Sequence, residues 1–188
     1  MVVCRQGTEE DIAGVLLLQS RNLSANLTAQ EKEQGFVTTP FTEEQIRQII
    51  TEEEGLFVAE SSDQIVGYIL AGSWDYFSQW GIFNYMVDRF PQLRFKDQQV
   101  TKESTFQYGP VCLDSNHRGQ GLFNQLFEEM RLAFVKRYPV SITFINQVNA
   151  ISTAAHTRKI GWHIIDEFEF NNNQYFGLAI DMNLSVIR

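Results

Sequence analysis

A chain of 188 residues in which 44% of side chains are apolar can bury one sizeable core, and its length suits a single domain. Twenty-three acidic side chains against 15 Lys and Arg give a formal charge of −8, which excludes a body that binds nucleic acid by neutralising phosphates. No apolar run is long enough to cross a bilayer, no charged-then-apolar leader precedes Asp11, and Cys4 and Cys112 lie far apart inside predicted strands. The expectation is a soluble cytoplasmic protein with reduced cysteines and no metal site.

Val2 to Cys4 reads as a first strand, and Thr8-Glu9-Glu10-Asp11 as a capping box opening a helix whose buried face is Ile12, Val15, Leu16, Gln19 and Leu23. Asn22 to Gln34 is polar enough for a loop or frayed helix. Thr42-Glu43-Glu44-Gln45 repeats the cap ahead of Ile46, Ile49 and Ile50, and Gly55 ends that helix. Leu56 to Glu60 and Ile65 to Ser73 form a hairpin about Ser61-Ser62-Asp63-Gln64. From Trp74 to Thr105 the alternation of strands and helices is interrupted by an aromatic-rich, helical insertion. It suits a wall for an acceptor pocket, a cover for one sheet face, or a homodimer contact.

Tyr108 to Leu113 is the next strand, and Phe123, Leu126, Phe127, Met130 and Phe134 mark the buried face of a helix that Pro139 stops. Ser141 to Gln147 is β-branched and aromatic. Asn149 caps a short helix that ends at Gly161, and Trp162 to Phe170 pairs with Gln174 to Asn183 across Asn171-Asn172-Asn173. Strands interleaved with helices, two hairpins among them, indicate a single α/β layered domain on a mixed sheet with helices on both faces.

The chemistry concentrates at His117-Arg118-Gly119-Gln120-Gly121-Leu122-Phe123, where a strand runs through two glycines into a helix. Such a turn presents unpaired backbone N–H groups and the positive helix end to a phosphate or pyrophosphate, and Arg118 can add a charged contact. No Gly-x-x-x-x-Gly-Lys-Ser/Thr occurs, which sets aside the nucleoside-triphosphate loop. Asn124 stands where a dinucleotide fingerprint needs its third small residue, and the turn comes late in the chain.

Arg118-Gly119-Gln120-Gly121-Leu122-Phe123 resembles the (Arg/Gln)-x-x-Gly-x-(Gly/Ala) motif of the GNAT superfamily of acyl-CoA-dependent N-acyltransferases, with Phe123 in place of the last small residue. Asn149 to Trp162 is similar to that superfamily's later helix. The resemblance implies a sheet splayed at the CoA site and transfer of an acetyl group from acetyl-CoA to a primary amine by direct attack. By it, the cofactor-binding residues are Val111, Cys112 and Leu113 for the pantetheine, Arg118, Gly119, Gln120, Gly121, Leu122 and Phe123 for the pyrophosphate, and Asn149 near the pantetheine arm.

The Leu113 N–H is the implied oxyanion donor. Asp75 and Glu103 are the candidate bases for the amine. His156, seven residues after Asn149, is the candidate proton donor to the leaving thiolate; counting back from Gly161 gives Thr157 instead, because this segment is one residue longer. His117 reads as a turn residue and Tyr108 as packing. The acceptor is a small-molecule or peptide amine, with Asn22 to Thr39 and Trp74 to Thr105 as the segments that set it. The alternative is a non-catalytic acyl-CoA-binding sensor or interaction protein on the same fold.

Overall fold

The computed structural model describes residues 2–32 and 36–187. One seven-stranded sheet, in the order β1-β2-β3-β6-β7-β9-β8, carries the molecule. The strands are β1 (Val2–Gln6), β2 (Leu56–Ser61), β3 (Gln64–Gly72), β6 (Thr105–Leu113), β7 (Val140–Asn146), β8 (His163–Phe170) and β9 (Asn173–Asp181). All neighbours are antiparallel except β6 and β7, which run parallel. The hairpin turns are as the sequence predicts: Ser62 and Asp63, and again Asn171 and Asn172, take positive φ, which turns the chain with the right-handed twist of the strands.

Alternate residues of the central strands face opposite layers, and both layers are covered, so these strands are apolar over most of their length. Val58, Tyr68 and Leu70 meet helices α1 (Ile12–Asn22) and α3 (Glu43–Glu53) together with the aromatic insertion. Phe57, Ile69 and Phe106 meet Leu126, Phe127, Met130 and Phe134 of α6 (Leu122–Phe134). Both predicted capping boxes form, at Thr8 with Asp11 and at Thr42 with Gln45. Within the predicted loop, α2 is short (Ala29–Lys32), and Glu33 and Gln34 lie outside the described residues.

The insertion is only partly helical. It folds as α4 (Trp74–Phe77), α5 (Gly81–Arg89) and a small hairpin of β4 (Arg94–Phe95) and β5 (Gln98–Gln99). Arg89 clamps it to β8 by donating from Nε and Nη2 to the Asp166 carboxylate at 2.7 and 2.6 Å, and Trp74 Nε1 donates to Thr105 Oγ1 at 2.9 Å. Its buried aromatics cover one sheet face, as one of its predicted roles requires.

Candidate active site

Strands β6 and β7 pair only from Thr105–Val140 to Gln107–Ile142, although β6 runs on to Leu113 and β7 to Asn146. The cause lies in the register of β6 against β3. Two steps along β3, Ile69 to Ala71, match three along β6, Val111 to Tyr108, so β6 carries a bulge at Gly109-Pro110. A bulge bends its strand and reverses side-chain alternation beyond it. Tyr108 therefore packs toward α6, while Cys112, four residues on, faces the opposite layer.

At the fork, side chains take over from the backbone ladder. Thr143 Oγ1 and Gln107 Nε2 both donate to the Tyr108 carbonyl, each at 2.6 Å. Past that point the gap-facing backbone of β6 meets no strand among the described residues. Asp114 N–H bonds Val66 O on the β3 side, so the period of two aims the N–H groups of Val111 and Leu113 into the gap.

Two cavities occupy the gap. The inner one, about 80 Å³, lies between Gln107–Val111 and Thr143–Asn146, with Phe36, Thr38, Thr39 and Phe83 over it. The outer one, about 100 Å³, is walled by Val111, Cys112, Leu113, Arg118 and Phe123. Val111, Phe36, Asn149, Ser152 and His156 border both, so the two form one track along the strand edge. A lateral cavity beside Phe36, Thr38 and Asn146 is reached past Lys32, Val148 and Tyr175. Both segments expected to set the acceptor thus touch the site, through Phe36 to Thr39 and through Phe83.

The track ends at the glycine turn. Asp114 Oδ1 caps a short turn at Asn116 N–H, and Gly119 and Gly121 follow with φ of 79° and 76°, left-handed conformations that glycine adopts without steric penalty. The first ladder bond of α6 is Gln125 N–H to Gly121 O, so the amides of Leu122, Phe123 and Asn124 precede the helical ladder. Arg118 Nε and Nη2 donate to Leu113 O at 3.1 Å, tying the turn to the end of β6. The Phe123 ring leans on His156 with centroids 5.1 Å apart. Gln120, Leu122, Gly119 and Gly121 stand on the turn itself, outside the cavity walls.

The wall facing β6 is α7 (Ala150–Ala154), which continues as a π-helix over Ala155–Ile160. A π-turn accommodates one extra residue, which accounts for the longer Asn149–Gly161 spacing. His156 consequently stands at both cavities. Thr157 borders neither and donates to Thr153 O. Asn149 caps the helix through Oδ1 at Ser152 N–H and donates from Nδ2 to Phe36 O at 3.3 Å.

His156 is 3% exposed, and its Nδ1 lies 2.7 Å from Ser152 O. A carbonyl only accepts, so Nδ1 carries the proton, and Nε2 accepts from Tyr108 Oη at 3.2 Å. Burial pushes the imidazole pKa down to about 4, against the opposing pull of the Ser152 carbonyl. This corrects the expectation of a proton donor near neutral pH: the ring is neutral there and its single N–H is committed to Ser152. Burial likewise pushes the Cys112 thiol up to about 12, which leaves it a neutral wall residue.

Neither candidate base reaches the cavities. Strand β3 runs antiparallel to β6, so Asp75, just beyond its end, lies beside the start of β6, where β6 and β7 are still paired; it is 83% exposed and bonded to Lys102. Glu103, exposed in the turn before β6, sits at the same closed end. What sequence reasoning missed is Gln107 and Thr143, each a polar residue between two apolar neighbours, and Ser152. Their polarity in otherwise buried strands and on the capped helix was the available signal.

No protein-family model matches the chain, and no curated protein matches its sequence. Its fold, however, is shared with solved acetyltransferases. A putative acetyltransferase from Salmonella typhimurium, solved with its cofactor acetyl-CoA, superposes with a TM-score of 0.63 at 13% identity, over 96% of this chain and 94% of that one. The ribosomal-protein-S18-alanine N-acetyltransferase of Escherichia coli gives 0.62 at 10% identity, over 97% and 94%. The ribosomal-protein-alanine N-acetyltransferase of Brucella melitensis gives 0.60 at 20%, over 95% and 99%. The chain has the mixed α/β fold of the GNAT N-acetyltransferases. Among the described residues, no helix is long and apolar enough to cross a membrane, and no group of three or more His, Cys, Asp or Glu is placed to hold a metal ion.

Proposed function

We propose that this protein is an N-acetyltransferase that moves the acetyl group of acetyl-CoA directly to a primary amine. One observation carries the reading: a cavity track follows the unpaired edge of β6 and ends at a helix start preceded by two left-handed glycines. Acetyl-CoA supplies an activated acyl group, and transfer forms the N–C bond, breaks the C–S bond and carries one proton from nitrogen to sulfur. The fold neighbours lend support, since one was solved with acetyl-CoA and another complex with CoA and a peptide.

The residues divide the work by position. Leu122, Phe123 and Asn124 offer amides to the pyrophosphate, and Gly119 and Gly121 leave the approach free of side chains, since nothing else lies within 4 Å of where their Cβ atoms would be. The edge of β6 offers the N–H and C=O of Val111 and the N–H of Leu113 to a chain with amides of its own, the Leu113 carbonyl being taken by Arg118. Leu113 borders only the outer cavity, whereas Val111 borders both, so we assign polarisation of the thioester carbonyl to the Val111 N–H ahead of that of Leu113. His156 and Tyr108 hold each other in place and seal the inner wall.

CoA at about 100 times its Kd should add roughly 2.7 kcal/mol, a rise of about 5–10 °C in melting temperature. Gly121→Glu, which sets a carboxylate against the pyrophosphate, should abolish that rise. Absence of any shift with CoA or acetyl-CoA in the parent protein overturns the reading. A shift without amine-dependent thiol release, across a panel of small amines and peptides, would make the protein an acyl-CoA sensor instead.

A further inference from the structure

Phe83, in α5 of the insertion, lines the inner cavity and neither of the other two. Its ring is held from three sides of the chain. Phe77 of α4, Trp80 and Phe144 of β7 stand 4.8, 6.0 and 5.5 Å from it by ring centroids, and a side chain packed in this way gives little when pressed.

Its place along the fork gives the ring its meaning. Strands β6 and β7 are last paired at Gln107–Ile142, which shuts the fork. Phe144 stands two residues past that pair and Asn146 four, about 7 and 13 Å along the strand. The inner cavity meets the lateral one at Asn146, Phe36 and Thr38, whereas Phe83 leans on Phe144, nearer the shut end.

A thioester carbon under attack carries four substituents. The sulfur reaches it from the outer cavity, the oxygen turns to the Val111 N–H, and the amine enters past Phe36, Thr38 and Asn146. The acyl tail takes the direction that is left, toward the fork and Phe83. A cavity of about 150 Å³ holds benzene, so the inner one, about 80 Å³, has room for about three heavy atoms, as many as an acetyl group has.

Resting on the acetyltransferase reading, we infer that Phe83 sets the acyl length of the donor: its ring stops the tail at acetyl, and the insertion thereby selects acetyl-CoA over longer acyl-CoA thioesters. The test measures Kd for CoA, acetyl-CoA and butyryl-CoA on the full chain by calorimetry, so that no acceptor is needed. In the parent butyryl-CoA should bind at least about tenfold more weakly than acetyl-CoA, since each methylene that a pocket cannot house costs about tenfold or more. Phe83→Leu draws the wall back. It should bring butyryl-CoA within about threefold of acetyl-CoA and leave the Kd of CoA and acetyl-CoA within about twofold of the parent.

Phe90→Leu makes the same change at a buried residue just after α5 that lines none of the three cavities, and it should leave the gap as it is in the parent. A merely structural role for Phe83 would move the two variants alike. Equal affinity for acetyl-CoA and butyryl-CoA in the parent, a gap that survives Phe83→Leu, or a gap that Phe90→Leu closes as well each overturns the inference and leaves CoA binding standing. Absence of binding of both CoA and acetyl-CoA by the parent removes the acetyltransferase reading itself. Should Phe83→Leu not fold, Phe83→Met, whose flexible chain yields where a ring cannot, answers the same question.

Discussion

Between pH 6.5 and about 4.5 this protein should lose roughly 1.4 kcal/mol of stability per pH unit through His156 alone. In the folded chain burial holds the ring's pKa down at about 4, against 6.5 for an ordinary histidine. Above pH 6.5 both states keep the ring neutral and the full stability is present. Below it the unfolded chain binds a proton that the folded one refuses, so stability falls until the folded ring protonates near pH 4, for a total of about 3 kcal/mol. Asp11 and Glu128, held low by Arg5 and Arg131, contribute their losses further toward acid. Urea melts of parent and His156→Gln across this window measure the effect, because Gln can still accept from Tyr108 and donate to Ser152. The variant's stability should fall less steeply, by about 1.4 kcal/mol per unit. Parallel pH dependences, or a His156 ring titrating near 6.5 by NMR, would refute the reasoning.

Three further outcomes follow from the geometry. Gly121→Ala has room for its Cβ but must hold φ at 76°, so it should cost about 1 kcal/mol, seen as a fall of about 2–4 °C in melting temperature; an unchanged melt would contradict the left-handed assignment. Asp75→Asn and Glu103→Gln, at the closed end of the fork, should leave amine-dependent thiol release within about twofold of the parent, and a collapse of rate in either would return that carboxylate to the mechanism. Asp166→Ala removes both carboxylate bonds to Arg89, a pair mostly shielded from water at 25% and 11% exposed, and should cost about 1–2 kcal/mol in urea melts. Proteolysis should then begin within residues 74–105, and a double-mutant cycle with Arg89→Ala showing no coupling would count against the clamp.

What was legible in the sequence was local. Thr42 with Gln45, the Asn171–Asn173 turn and Asn149 announce themselves because cap and partner lie within a few residues. The glycine turn was legible for the same reason, its geometry residing in Gly119 and Gly121. Asp75 and Glu103 were misplaced because nearness to a strand end along the chain does not say which end of a neighbouring strand that is. The antiparallel pairing of β3 with β6 decides it, and pairing is a long-range fact. His156 was singled out by spacing as a proton donor, whereas its neutrality comes from enclosure by Tyr108, Phe123 and Trp162, drawn from three separate parts of the chain.

The bulge at Gly109-Pro110 was the least legible feature, and the site depends on it most. In a regular strand Tyr108 and Cys112 would share a face and β6 would stay paired with β7 to its end. One extra residue breaks both relations, and the side chains of Thr143 and Gln107 satisfy only the Tyr108 carbonyl at the break. Opening a parallel ladder inside a sheet leaves backbone donors and acceptors unmatched, a cost that a fold tolerates where a ligand meets them. The Val111 and Leu113 edge suits an extended chain with amides spaced along it, and the turn at its end suits a phosphate. The two requirements together fit a pantetheine joined to a pyrophosphate far better than either free phosphate or a peptide strand, because each of those would satisfy only one end of the track.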